Sequence, residues 1–223
     1  MRKILLSLLV MTGCVVGTND AGGGGGADDT TGGGDDQQPQ PNPDPTTQGA
    51  VCSLPAATAD AGDLATVKAQ QCNVPGSAGT KKWYRVAATL PGSMDFVQIE
   101  LWDGRGAFSG GAVAVGTYQL TGAELDPATC GICVRGLGDK GAATQKEYFA
   151  SAGQVQVTAV GGNGLPVSVT LTDVSFKEIN PTTKAAVAGG CTATVSRAKL
   201  DGTIVAVTGG GGGGGACPAT IGD

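Results

Sequence analysis

Two runs of strict two-residue alternation, joined by Gly161-Gly162-Asn163-Gly164, constrain this chain more than any other feature. Gly153 to Val160 places Val155, Val157 and Ala159 on one face, with Gln154, Gln156 and Thr158 opposite. Leu165 to Leu171 places Leu165, Val167, Val169 and Leu171 on the inward face. A period of two is that of a strand with one buried face. Glycine and asparagine tolerate the positive φ that a tight hairpin turn demands. The expectation is a β-hairpin of Gly153–Val160 with Leu165–Leu171. Beyond Leu171 the phase slips, because Val174 and Phe176 take the next apolar positions. One extra residue near Thr172-Asp173, a β-bulge, accounts for the slip.

Similar short runs recur between clusters of Gly, Pro, Asp and Asn. They are Trp83 to Ala88, Phe96 to Trp102, Val113 to Leu120, Ile132 to Arg135, Glu147 to Ser151, Cys191 to Lys199 and Thr203 to Val207. Within Phe96 to Trp102, Val97, Ile99 and Leu101 share one face and Gln98, Glu100 and Trp102 the other. Asp103-Gly104-Arg105-Gly106 reads as a further hairpin turn. Asp60 to Gln71 fits a short helix or a strand equally well, with Leu64 and Val67 on one face. Many short strands with turns between them predict an all-β fold, an antiparallel β-sandwich or barrel-like domain, behind a disordered N-terminal tether.

The N-terminus has a different character. Arg2 and Lys3 precede a short apolar core of Ile4, Leu5, Leu6, Leu8, Leu9, Val10 and Met11, followed by Thr12-Gly13-Cys14. Such a core is too short to span a bilayer, which takes about 20 apolar residues, and the layout is that of a secretory signal. Met11-Thr12-Gly13-Cys14 resembles the lipobox of bacterial lipoproteins, with Met11 where that family usually has Leu. The resemblance implies lipidation of Cys14, cleavage after Gly13 and attachment to a membrane. Val15 is not the Asp that retains some bacterial lipoproteins at the inner membrane, so the expected address is the outer membrane.

The expected organisation is a signal peptide at 1–13, a tether at 14–49, a β-domain at 50–208 and a Gly-rich arm at 209–223. The tether is built from Gly, Asp, Thr, Gln, Asn and Pro, with almost nothing apolar after Val16. It cannot bury enough surface to offset its ordering entropy. Six aspartates and no Lys or Arg lie in it, against 12 basic and 13 acidic residues from Gly49 onward. The acidic character therefore belongs largely to the tether, which should self-repel and stay extended. No basic patch with interleaved aromatics suggests a nucleic-acid partner. Gly209 to Gly215 lacks the Lys and Ser or Thr that would make it a phosphate loop.

Six cysteines follow Cys14, namely Cys52, Cys72, Cys130, Cys133, Cys191 and Cys217. An even number in an exported chain implies a disulfide framework. The simplest pairing is sequential, Cys52 with Cys72, Cys130 with Cys133 and Cys191 with Cys217. Cys130-Gly131-Ile132-Cys133 also admits redox or zinc readings. The first needs a thioredoxin-like strand–helix setting, the second a further CxxC or histidines, and the chain has no histidine.

Gly116-Thr117-Tyr118-Gln119-Leu120, Cys130-Gly131-Ile132-Cys133-Val134, Glu147 to Gly153, Leu171 to Ile179 and Gly189-Gly190-Cys191 together resemble the layout of cysteine-containing β-domain lipoproteins common in myxobacteria. That resemblance covers roughly half of the mature chain. It implies export and a β-domain, and it supplies no catalytic residue.

Without histidine, a Ser-His-Asp triad, a Cys-His pair and an HExxH zinc site are excluded. Carboxylate-pair chemistry needs only two acids at a set distance, and Glu100, Glu124, Asp126, Glu147 and Glu178 are the candidates. Glu100 stands out because Trp102 shares its face and could form a sugar platform. The acids otherwise sit in turns or polar strand faces, where carboxylates stay solvated. The expectation is no catalytic residue, no cofactor and no metal. The chain is expected to be an envelope lipoprotein with a non-enzymatic interaction or structural module, partnered by a membrane and an envelope protein or glycan. The competing expectation is a lipid-anchored hydrolase using carboxylates on polysaccharide.

Overall fold

The computed structural model describes residues 52–74 and 76–207. The expected signal peptide, Cys14, the expected tether, Cys217 and the Gly-rich stretch at 209–223 lie outside the described residues. Among the described residues, nine strands appear in chain order: β1 (Thr58–Asp63), β2 (Lys68–Asn73), β3 (Lys82–Thr89), β4 (Phe96–Trp102), β5 (Gly116–Gln119), β6 (Ile132–Gly138), β7 (Lys146–Val160), β8 (Pro166–Ile179) and β9 (Thr192–Ala206). Asp60 to Gln71 is strand, not helix, and it is split into β1 and β2. Glu147–Ser151 and Gly153–Val160 are one strand of 15 residues, as are the two runs expected between Cys191 and Val207.

The pairings form a circuit: β2 with β3, β3 with β4, β4 with β6, β6 with β7, β7 with β8, β8 with β9, and β9 back to β2. The sheet is therefore closed and barrel-like. Six of these seven pairs are antiparallel and the last, β9 with β2, is parallel. Seven strands cannot alternate in direction all the way round a ring, so one parallel contact is unavoidable. The antiparallel expectation holds for the rest of the ring.

The two long strands exceed their neighbours and take two partners in succession on one edge. β7 pairs β6 through Phe149 to Lys146 and β5 through Gln154 to Val157. β9 pairs β1 near Val195 and Arg197, then β2 from Ile204 to Ala206, both in parallel.

The expected hairpin is β7 with β8, turning through Gly161–Leu165 and closed by the Gly161 N–H donating to the Pro166 carbonyl. Leu165 is the exception to the expected inward face: it lies in the turn before β8 and is 54% exposed. The bulge falls where the apolar phase slips. Ala152 faces Ser175 and Gln154 faces Thr172, so Gly153 alone opposes Asp173 and Val174. Asp173 takes φ 47° and Gly153 φ 128°. A Cβ on Gly153 would sit 2.7 Å from the Val174 Cα, so this position excludes a side chain as well as a negative φ.

One continuous core fills the closed sheet. Val97, Ile99 and Leu101 of β4 point into it as expected, alongside Val155 and Val157 of β7 and Val167, Val169 and Leu171 of β8. Past the bulge, Val174 and Phe176 rejoin that face. Each fully buried aliphatic or aromatic side chain contributes about 1.5–3 kcal/mol through removal of apolar surface from water.

Asp103-Gly104-Arg105-Gly106 turns the chain at Gly104, φ 73°. It does not make a hairpin, because the next partner of β4 is β6. The segment between folds into short 3₁₀ turns at Gly106–Phe108 and Gly122–Leu125, with β5 between them.

Candidate functional site

Alternation on β3 and β4 sends Trp83 and Arg85, and Gln98, Glu100 and Trp102, to the outside of the barrel. Antiparallel register sets Trp83 opposite Trp102 and Arg85 opposite Glu100. Outward placement does not make these residues solvated. Trp83, Arg85, Gln98 and Glu100 are all buried.

The Glu100 carboxylate is held from several directions. Oε1 accepts from Arg85 Nη2 at 2.9 Å and Nε at 3.2 Å, and from Gln98 Nε2 at 3.0 Å. Oε2 accepts from the Trp102 indole N–H at 3.1 Å. A buried charge is tolerated when it is paired and its lone pairs are satisfied. The expectation of a solvated Glu100 is thus corrected: it lies in a buried polar network, because β3 supplies a guanidinium directly across the strand. Among the described residues, Gln98 Oε1 and, two strands away, Gln70 Oε1 are buried acceptors with no hydrogen-bond partner.

The indole rings of Trp83 and Trp102 stack at 4.4 Å with planes 5° apart. The Arg85 guanidinium lies over Trp83 at 4.6 Å and that of Arg105 over Trp102 at 4.3 Å. Two groups cannot share one ring face at such distances, so Trp102 carries a neighbour on each face. A sugar platform needs an open aromatic face, and this column leaves Trp102 none.

A small apolar cluster lies beside the column. Cys130, Cys133, Phe149 and Ile179 are buried there, with Trp102 packed against them. Cys130 and Cys133 are joined by a disulfide, as the sequence suggested. Cys133 faces Glu100 across β4 and β6, and the expected strand after the bridge is β6.

The other nominated acids are engaged elsewhere. Glu124 is buried in the second 3₁₀ turn. Its Oε1 accepts from the Ala107 N–H at 2.6 Å and its Oε2 from the Ile132 N–H. It was expected to be solvated; instead it ties both 3₁₀ turns to β6, satisfying two backbone donors that have no strand partner. Gly131 is needed beside it, since a Cβ there would lie 2.2 Å from the Arg105 carbonyl oxygen. Glu147 pairs with Lys184 at 2.6 Å and Arg135 at 3.9 Å. Glu178 pairs with Lys146 at 3.2 Å and accepts the Cys191 N–H at 2.9 Å. Asp126 accepts from the Ala128 N–H in an exposed turn. The five acids are spread over separate interactions and share no hydrogen-bonded pair. Arg85, Trp83 and Gln98, which organise the Glu100 network, were not singled out from sequence. Their signal was the mirrored spacing Trp83-x-Arg85 and Glu100-x-Trp102, legible only once the strand register is known.

The remaining cysteines depart from sequential pairing. Cys52 is bonded to Cys191, 139 residues away. This replaces both Cys52–Cys72 and Cys191–Cys217, because β1 pairs with the first half of β9 and β2 only with its far end, which leaves the Cα atoms of Cys52 and Cys191 5.6 Å apart. Cys72 is also disulfide-bonded. Among the described residues, no group of three or more His, Cys, Asp or Glu is placed to hold a metal ion, and no helix is long and apolar enough to cross a membrane. No family model matches the chain, and neither a curated protein nor a solved structure is significantly similar to it.

Proposed function

We propose that this chain is an exported, lipid-anchored envelope lipoprotein whose barrel is an interaction or structural module without turnover of its own. The observation that carries the non-enzymatic part is the Glu100 network. Both carboxylate oxygens of the strongest catalytic candidate are taken by Arg85, Gln98 and Trp102. A general acid or base must reach substrate with a free carboxylate oxygen, and here each oxygen is already engaged by a neighbouring side chain. The disulfides at Cys52–Cys191 and Cys130–Cys133 are compatible with an oxidising, extracytoplasmic setting. Anchoring rests on Met11-Thr12-Gly13-Cys14, where two acyl chains would supply the two signals that stable attachment takes. The resemblance to myxobacterial β-domain lipoproteins supports the same reading, and an outer-membrane address fits Val15.

Labelling with a clickable palmitate analogue in a Gram-negative host tests the anchor. The wild type should take up label and fractionate with membranes, and Cys14→Ser should do neither. Full labelling of the variant overturns the assignment. A parallel screen on peptidoglycan and polysaccharides should show no turnover; hydrolysis by the wild type that collapses in Glu100→Gln, with the variant shown to be folded by circular dichroism, would establish the hydrolase instead.

A further inference from the structure

Among the described residues, two strands pair on one side only: β5 with β7, and β1 with β9. Edge strands ordinarily carry charge, proline or a bulge that stops a further strand from adding. β1 is blunted in this way. Asp60 and Asp63 lie in it, the register shifts between them, and Gly62 takes φ 67°. β5 has no such protection, because the sequence from Val113 to Ala123 contains no Asp, Glu, Lys, Arg or Pro.

The register with β7 fixes which backbone groups of β5 face the open side. The Leu120 N–H donates to the Gly153 carbonyl at 2.8 Å, and Tyr118 and Gly116 continue the same ladder opposite Val155 and Val157. Hydrogen-bonded pairs recur at every second residue of an antiparallel ladder. The N–H and C=O groups of Thr117 and Gln119 therefore point away from β7. Among the described residues nothing bonds to them, and both side chains are exposed. The strand is held from below, where the Tyr118 ring meets Phe108 edge-on at 5.1 Å and its hydroxyl donates to the Ala114 carbonyl at 2.9 Å. An edge fixed in advance costs less ordering when it pairs.

We propose that β5 joins a second copy of this chain edge to edge, antiparallel, about a two-fold axis at Tyr118. In that register Thr117 faces Gln119 of the second copy and Gln119 faces its Thr117. Each of these pairs exchanges both N–H···O=C bonds, so the edge is complementary to itself, as a two-fold contact requires. Val115, 61% exposed just before β5, extends the contact toward Thr121 of the second copy. No charge meets its like across this edge, whereas two β1 edges would bring the Asp60 and Asp63 carboxylates of both copies together. The contact is far smaller than a standard interface, so the dimer is weak and forms in the high-micromolar range. The proposal goes beyond the reading of the chain as an envelope module and holds with or without lipidation of Cys14.

Sedimentation velocity of the full chain over a concentration series tests it. The expected result is a reversible shift from monomer to dimer. Thr117→Lys/Gln119→Lys, which sets four cations at the axis, should weaken dimerisation at least tenfold with an unchanged circular dichroism spectrum and melting temperature. Gln156→Lys/Thr158→Lys, on the same outer face but one strand inward, should leave it unchanged. For the register, Thr117→Cys mixed with Gln119→Cys should give an oxidised dimer on a non-reducing gel, and neither variant alone should match its yield. A wild type that stays monomeric at every concentration overturns the proposal and leaves the edge to a foreign strand. A dimer that survives the paired lysines in a folded variant, or is lost equally in the β7 control, overturns it too, as does equal cross-linking by the single cysteine variants.

Discussion

The indole N–H of Trp102 donates to Glu100 Oε2 at 3.1 Å, two residues back on the same outer face of β4. A tryptophan beside a carboxylate usually suggests a site for sugars. Here the indole is a hydrogen-bond donor that helps keep the carboxylate in place, and its ring faces are occupied by Trp83 and Arg105. The pair belongs to the architecture of the barrel wall.

Glu100→Gln should destabilise the fold without altering any surface charge pattern. It removes the anion facing the buried Arg85, and breaking one side of a buried pair costs about 3 kcal/mol or more. Urea unfolding followed by tryptophan emission should show the midpoint falling at constant slope. An unchanged midpoint would mean that the network contributes nothing.

Gly153→Ala should be more harmful than its single added methyl suggests. The position needs φ 128°, and the new Cβ would meet the Val174 Cα at 2.7 Å. Strain and overlap together should cost about 3 kcal/mol. Thermal unfolding checks this, and Gly162→Ala is the control, since a Cβ there meets nothing within 4 Å.

The two mapped disulfides should differ in worth. Cys52–Cys191 closes a separation of 139 residues and Cys130–Cys133 one of 3. In the chain-entropy model these correspond to about 5 and about 2 kcal/mol. Cys52→Ala/Cys191→Ala should therefore lower stability well beyond Cys130→Ala/Cys133→Ala in matched denaturation curves.

Stability should fall at alkaline pH through Tyr84. Burial raises its phenol above the ordinary value, opposed by the hydrogen bond from Gln71 and assisted by the charge of Asp103. A folded-state value above the unfolded one means that the neutral phenol is favoured by folding. Its contribution is complete below the unfolded value of about 10 and is lost as pH rises through the folded value. Tyr84→Phe should flatten the stability profile above about pH 10. At neutral pH it should cost about 1 kcal/mol for the lost Gln71 contact. Unfolding curves at several pH values, for both proteins, separate the two effects.

Much of the strand order was legible because it is local. Period-two alternation marked β4, β7 and β8, the Gly161–Gly164 cluster marked their turn, and the slip at Val174 marked the bulge. These signals lie within neighbouring residues, where backbone sterics and side-chain direction act directly. The nominated site was less legible. Glu100 and Trp102 could be seen to share a face, but only the β3–β4 register brings Arg85 and Trp83 against them and places an expected solvated acid in a buried hydrogen-bonded network. Glu124 likewise became structural only when Ala107 and Ile132 were brought to it.

The sequence by itself determined the all-β character, the hairpin, the bulge and the absence of histidine-based chemistry. Tertiary structure alone decided the closure of the ring, the parallel β9–β2 seam and the Cys52–Cys191 bridge. Each of those joins residues more than a hundred positions apart. Alternation says which face of a strand is buried, but not which distant edge it will meet; that choice follows from packing one core inside a closed sheet.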